Sequence, residues 1–291
     1  MIENEPDEAT QRKQRIGGMF DRAAPTYDLV GPRFFSHFGE ELVRFAQMPN
    51  GARVLDLATG RGAVLFPAAR TVGLSGHVIG TDISEPMVNA TRQEIRRLKL
   101  KNINIEQMDA ESLKFPDESF DYVLCGFALF FFPHLERALS EMRRVLRPDG
   151  LLAVSTWEEY DDEQWRWFDE LVKTFLPPEE QTPSDPTSRP PPPRLDTPES
   201  MGVVLTAAGF VDVECKSEQY EAIYRSEEEW WETQWSHGGR LLLERIESTS
   251  GVEGLERFRK AVFEGLAAMM QADGIHAYWP ALFTKAKKPK D

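Results

Sequence analysis

Asp56, Ala58, Gly60 and Gly62 stand at alternate positions in Val-Leu-Asp-Leu-Ala-Thr-Gly-Arg-Gly (residues 54–62). An apolar run that ends in a carboxylate and opens into small residues lets the backbone approach a ligand closely. In open α/β sheets such a turn lies at the carboxyl end of a strand, where ligands bind. The spacing D-x-A-x-G-x-G does not fit the G-x-G-x-x-G of dinucleotide sites, and no Gly-Lys-Ser/Thr follows to make a phosphate loop. Two more carboxylates close later apolar runs. Asp82, in Gly-Thr-Asp-Ile-Ser (80–84), is placed to accept both hydroxyls of a ribose, with Ser84 as N-cap of the helix that follows. Asp109, in Met-Asp-Ala-Glu (108–111), is placed to bind an adenine amino group. Any one of them alone reads as a turn residue; three in series at strand ends read as a nucleoside site.

Only a parallel sheet aligns these strand ends. β-prone runs at 53–57, 77–81, 103–107, 120–125 and 151–156 alternate with amphipathic helices near 64–72, 85–98 and 136–146. Such alternation predicts an α/β fold with helices on both sheet faces. Residues 1–12 read as disordered, and 13–48 as helices broken near Pro25 and Gly31-Pro32. After Trp157 the rhythm stops. Residues 177–198 hold nine prolines, the composition of a linker or mobile loop. A helix (199–208), a strand (211–216) and a last strand (278–286) restore the pattern, while 225–271 reads as helices rich in Trp, Arg and Glu.

Composition narrows the partners. The 291 residues carry 48 acidic and 34 basic side chains, a formal charge of −14. That field repels phosphate backbones, so no nucleic-acid partner is expected. No run of 18 apolar residues occurs, so no membrane span is expected. Cys125 and Cys215 have no metal-type partner at short spacing, which fits a reducing cytoplasm. No metal is expected either, since the adjacent Asp161, Asp162 and Glu163 do not share a helix face.

In five segments the chain resembles the class I S-adenosylmethionine (SAM)-dependent methyltransferases: VLDLATGRG (54–62), GTDIS (80–84), MDAESLKFPDESFDYVLCGFAL (108–129), EMRRVLRPDGLLAVSTW (141–157) and ALFTKAKKP (281–289). The opening MFDRAAPTYD (19–28) is similar to the branch holding ubiquinone/menaquinone C-methyltransferases and natural-product methyltransferases. The resemblance implies a Rossmann-like, mostly parallel seven-stranded sheet (49–157, 199–216, 278–287), an N-terminal helical lid (1–48) and a cap of two insertions (158–198, 217–277). It also implies roles for single residues. Asp56, Ala58, Gly60 and Gly62 line the methionine and ribose portion, and Asp82 holds the ribose. Ile83 and Met87 flank adenine, Asp109 and the Ala110 backbone read its edge, and Cys125 and Gly126 lie near the amino-acid end. Phe20 and Tyr27 belong to the lid. Relatives often carry His-His where this chain has Phe130-Phe131, so the acceptor floor should be apolar.

All seven tryptophans fall at or after residue 157. An aromatic cap suits a flat or greasy acceptor, or a cation held against ring faces. Trp165, Trp231 and Trp235 are therefore candidate walls beside Phe130 and Phe131, with Arg240 as a polar contact. His237, between an aromatic cluster and a glycine pair, is the leading candidate base, followed by Glu170 and Tyr27; a lone histidine is more often structural. The expectation is methyl transfer from SAM to a small hydrophobic or aromatic acceptor, on carbon, oxygen or nitrogen. Alternatives are C-methylation of a prenyl diphosphate through a carbocation, an NAD(P) oxidoreductase, and a SAM-binding protein without catalysis. Monomer and homodimer both stay open.

Overall fold

The computed structural model describes residues 8–159, 163–176 and 193–290. The first helix, α1 (Glu8–Ala23), has its first five residues inside the stretch expected to be disordered. Its first turn is drawn down by Arg12, which donates to the Phe130 carbonyl at 3.3 Å, and by Lys13. Helix α2 (Phe34–Ala46) buries an apolar face rich in phenylalanine. There follow β1 (Arg53–Leu57), α3 (Leu65–Val72), β2 (His77–Asp82), α4 (Glu85–Arg97), β3 (Ile103–Gln107), β4 (Phe120–Gly126), α5 (Leu135–Val145) and β5 (Leu146–Trp157). Ser84 caps α4, its hydroxyl accepting from the Met87 N–H. Helix α6 (Arg166–Phe175) ends before the proline-rich stretch, of which 177–192 lie outside the described residues.

Then come α7 (Pro198–Ala207), β6 (Val211–Tyr224), α8 (Glu227–Ser236), α9 (Arg240–Met269), the two-residue β7 (Met270–Gln271) and β8 (Gly274–Lys287). Seven long strands run β3-β2-β1-β4-β5-β8-β6, with β8 antiparallel to both neighbours. Strand order reverses between β1 and β4. At such a switch point the diverging crossovers leave a crevice beyond the carboxyl ends. Strand β1 is buried on both faces, as a central parallel strand must be. One apolar core joins the sheet to α5 and α7, another joins it to α2, α3 and α4, and a third holds the cap together.

Two boundaries differ from the sequence expectation. Strands β6 and β8 run past the core, pairing through Tyr224–Ile275. Exposed polar residues alternate with apolar ones along β6, so hydrophobic pattern alone hides this extension. The cap is thus helices α6, α8 and α9 packed on a strand ribbon rather than helices alone. No helix among the described residues is long and apolar enough to cross a membrane.

The turn after β1 is strained at one place. Ala58, Gly60 and Gly62 all have positive φ (52°, 52° and 86°). Left-handed backbone costs an L-residue about 1 kcal/mol more than glycine, so Ala58, rather than a glycine, carries a penalty there. Ala58→Gly is expected to raise the melting temperature by roughly 2–4 °C without weakening cofactor binding. Calorimetric melts with and without SAM check this; a lowered melting point would contradict it.

Candidate active site

The ends of β1 to β4 and the lid enclose a cleft. Asp82 ties it together: its carboxylate accepts from the Gly60 N–H at 2.8 Å and the Ser84 N–H at 2.9 Å. Thr91 donates its hydroxyl to the Gly60 carbonyl at 2.8 Å, fixing the turn from α4. Asp56 is 1% exposed. One of its oxygens accepts from the Thr59 hydroxyl; the other has no hydrogen-bond partner among the described residues. Asp109 accepts from the Glu111 N–H and pairs with Lys13 of the lid at 2.6 Å. Ile83, Met108 and Ala110 give the cleft an apolar slot, and Phe20 and Tyr27 cover it. A partnerless buried carboxylate oxygen, two further carboxylates and an apolar slot match an amine, ribose hydroxyls and a flat base. These residues fit the nucleoside and amino-acid parts of SAM.

A second cavity of about 280 Å³ adjoins the first. Four aromatic side chains, Phe20, Tyr27, Phe127 and Phe131, line both. Its further walls are Phe34, Phe35, Phe130, Trp157, Trp230 and Trp279, with His237 and Gln234 as polar members. Tyr27 stacks on Phe35 (5.5 Å, 14°), and Phe20 meets Phe131 edge-on at 5.2 Å. His237 is 7% exposed and packs edge-on against Phe34 and Phe35. Burial lowers its pKa to about 4. Tyr27 is pushed the other way, first by burial and then by Asp28 and Asp82.

Several expected residues are not brought to these cavities. Met87 is buried under α4 with its N–H spent on the Ser84 cap, and Met108 takes the slot instead. Gly62 shapes the turn against Phe66 without lining either cavity. Cys125 faces the core, where burial raises its thiol; the adjacent Gly126 does line the cleft. Trp165 stacks between Trp167 and Trp230, and Trp231 packs on Phe258, so both serve the cap's own core. Arg240 is held over Trp235, donating to that residue's carbonyl at 2.8 Å, and neither reaches the second cavity. Glu170 is an exposed partner of Lys173. Of the tryptophans, 157, 230 and 279 line the cavity. Sequence reasoning passed over Phe127, which borders both spaces, though its place directly after Gly126 at the end of β4 was a usable signal. Elsewhere His37, Glu41 and Glu218 converge, but Lys216 already sits 2.9 Å from Glu218 and 3.6 Å from Glu41.

The family described as "Methyltransferase domain" matches residues 54–150. Aklanonic acid methyltransferase DauC of Streptomyces sp. (strain C5) is 39% identical over 144 residues, half of this chain and 66% of that protein. Demethylmenaquinone methyltransferase of Listeria welshimeri is 30% identical over 159 residues, covering 53% of this chain and 67% of that protein. The chain belongs to the class I SAM-dependent methyltransferases. It spans just under two thirds of the length of DauC. Among solved structures, the [4+2]-cyclase SpnF shares the fold, with a TM-score of 0.60 at 20% identity over 96% of this chain and 97% of that one.

Membership makes the two buried carboxylates a pH test. Burial raises Asp56 to about 7, opposed by the Thr59 hydrogen bond, and raises Asp82 to about 6 against backbone hydrogen bonds, chiefly from Ser84 and Gly60. Raised carboxyl groups stabilise the ligand-free methyltransferase at low pH, and that contribution fades as pH climbs through about 6 and 7. The ammonium and ribose hydroxyls of SAM both favour ionised carboxylates. SAM affinity is therefore expected to rise about ten-fold from pH 5 to 8, with proton release near pH 6. Calorimetry in buffers of different ionisation enthalpy checks both; a flat affinity would contradict the assignment.

Proposed function

We propose that this methyltransferase moves the methyl group of SAM to a small, hydrophobic or aromatic acceptor of natural-product or quinone type. The observation that carries the reading is the sharing of Phe20, Tyr27, Phe127 and Phe131 between a nucleoside-shaped cleft and an aromatic cavity. Two reactants seated on either side of that wall meet within one enclosure. SAM supplies an activated methyl group on a sulfonium. The chain's own part is to hold the reactants in line and exclude water, which accounts for most of such catalysis.

In this reading Asp82 holds the ribose, Asp56 the methionine amine, Asp109 and the Ala110 backbone the adenine edge, and Ile83 one adenine face. Gly60 and Gly126 give the amino-acid end its backbone approach. Lys13 latches α1 over the cleft through Asp109 and Glu111. DauC is named for aklanonic acid and the Listeria enzyme for demethylmenaquinone, which supports the acceptor class. A prenyl diphosphate is disfavoured, since no Lys or Arg lines the cavity among the described residues. A cytoplasmic setting belongs to the same reading, supported by two free cysteines.

Transfer of label from SAM to quinones, indoles, phenols and aromatic acids tests the proposal. Tight SAM binding with no transfer to any class would leave a binding protein instead.

A further inference from the structure

The acceptor cavity holds donors where a proton-abstracting enzyme would hold a base. Among the described residues, none of its walls is Asp, Glu, Lys or Arg. Its titratable members are His237 and Tyr27. The Gly239 N–H donates to Nδ1 of His237 at 3.4 Å. That bond uses the ring's free lone pair, so the proton of the neutral imidazole sits on Nε2. Nε2 is buried with no partner among the described residues. The indole nitrogen of Trp230 is buried with no partner among the described residues as well. Both are N–H groups that donate and cannot accept. Burial also makes His237 a weak base, and the Tyr27 phenol resists ionisation. A base matched to neutral pH would have a pKa near 7.

We propose that the acceptor brings its own charge: an oxygen acid already ionised in water, a carboxylate or the enolate of an acidic enol, carried on a flat hydrophobic body. The inference rests on the methyl-transfer reading above and names its substrate class. His237 acts as a hydrogen-bond donor that orients the oxygen, and the sulfonium is the counter-charge that the walls lack. The acceptor oxygen forms the O–CH₃ bond as the S–CH₃ bond breaks, and the electron pair of that bond stays on sulfur. Anion and cation become a neutral ester or enol ether and a neutral thioether, and no proton is moved. An acceptor that first had to lose a proton would find no group to take it among the described residues of this cavity.

The test uses two ligands of one shape, 2-naphthoate and 2-naphthol. Binding is measured by calorimetry to the protein loaded with sinefungin, which keeps a positive charge at the sulfonium position, or with S-adenosylhomocysteine, which does not. Naphthoate is expected to bind about ten-fold more tightly to the sinefungin complex, while naphthol shows no preference. His237→Phe is expected to weaken naphthoate binding about ten-fold, and His237→Gln, which keeps a donor, to retain most of it. Unchanged sinefungin affinity reports that both variants are folded. Equal binding of the two ligands, indifference of naphthoate to the cofactor's charge, or no naphthoate binding overturns the inference. Methyl transfer to naphthol in preference to naphthoate overturns it too, while leaving the methyltransferase reading intact. Charge-dependent naphthoate binding with no transfer to either ligand would support the ligand class and sink methyl transfer.

Discussion

Gly39→Ala is expected to cost about 3 kcal/mol of stability and to lower methyl transfer on the order of 100-fold. Gly39 lies in α2, where alanine would ordinarily stabilise the helix. Here the helix rests directly on the cofactor turn. An added Cβ would overlap the Ala63 carbonyl oxygen, lie 2.5 Å from its carbon and 3.1 Å from the Val64 nitrogen. All three are backbone atoms, so no side chain can swing aside. Either α2 lifts or residues 58–64 shift, and the second displaces the turn proposed to meet SAM. Thermal melts should show a loss of roughly 6–12 °C. Gly202→Ala in α7 is the control, because nothing lies within 4 Å of its Cβ; it should leave stability unchanged or slightly raised. A Gly39→Ala protein that melts and turns over normally would show that α2 is free to move.

Gly39 also marks a limit of what the residues alone disclosed. The strand-end carboxylates were legible because each closes an apolar run, and the alternation of strands and helices forces such ends to one edge of the sheet. Asp82 and Asp109 line one cleft and Asp56 a smaller space beside it, although no two are within 20 residues of each other in the chain. A close approach between two backbones leaves no such pattern: Gly39 looks like any helical glycine until α2 is seated on Ala63. The acceptor wall was half legible. Aromatic content after residue 156 pointed to the cap, but each ring had two places to go, the cap's own core or the cavity. Trp165 and Trp231 went to the core, Trp157 and Trp279, on strands β5 and β8, to the cavity, and Trp230 borders both, a choice made by where each element runs rather than by residue type. The boundaries of β6 and β8 were missed for a related reason. Once strands leave the main core, one face packs on α8 and α9 and the other meets water, and the apolar run that signals a buried strand is replaced by alternation.

Asp82→Ala is expected to weaken SAM binding by about 1.5–3 kcal/mol, roughly 10- to 150-fold. Two consequences of one side chain combine in that figure. The ribose hydroxyls lose an ionised acceptor, and the Gly60 N–H, which donates to the same carboxylate, is released from the position it holds in the turn. The stability of the ligand-free protein should move less. Asp82 is 7% exposed and its ionisation is opposed by burial and by Asp21, so its removal relieves an unfavourable charge while leaving two backbone donors short of an acceptor. Asp82→Asn separates the two consequences. The amide keeps an oxygen that can hold the Gly60 or the Ser84 N–H but carries no charge, so its affinity should fall between wild type and Asp82→Ala. The dependence on pH should also change. With Asp82 gone, the rise in affinity between pH 5 and 8 should follow Asp56 alone, shifting its midpoint toward about 7. Titrations of SAM into the three proteins at pH 5, 6, 7 and 8 measure all of this at once. Affinity that is unchanged in Asp82→Ala would remove the residue from the ribose site, and a midpoint that stays near 6 would show that another group carries the titration.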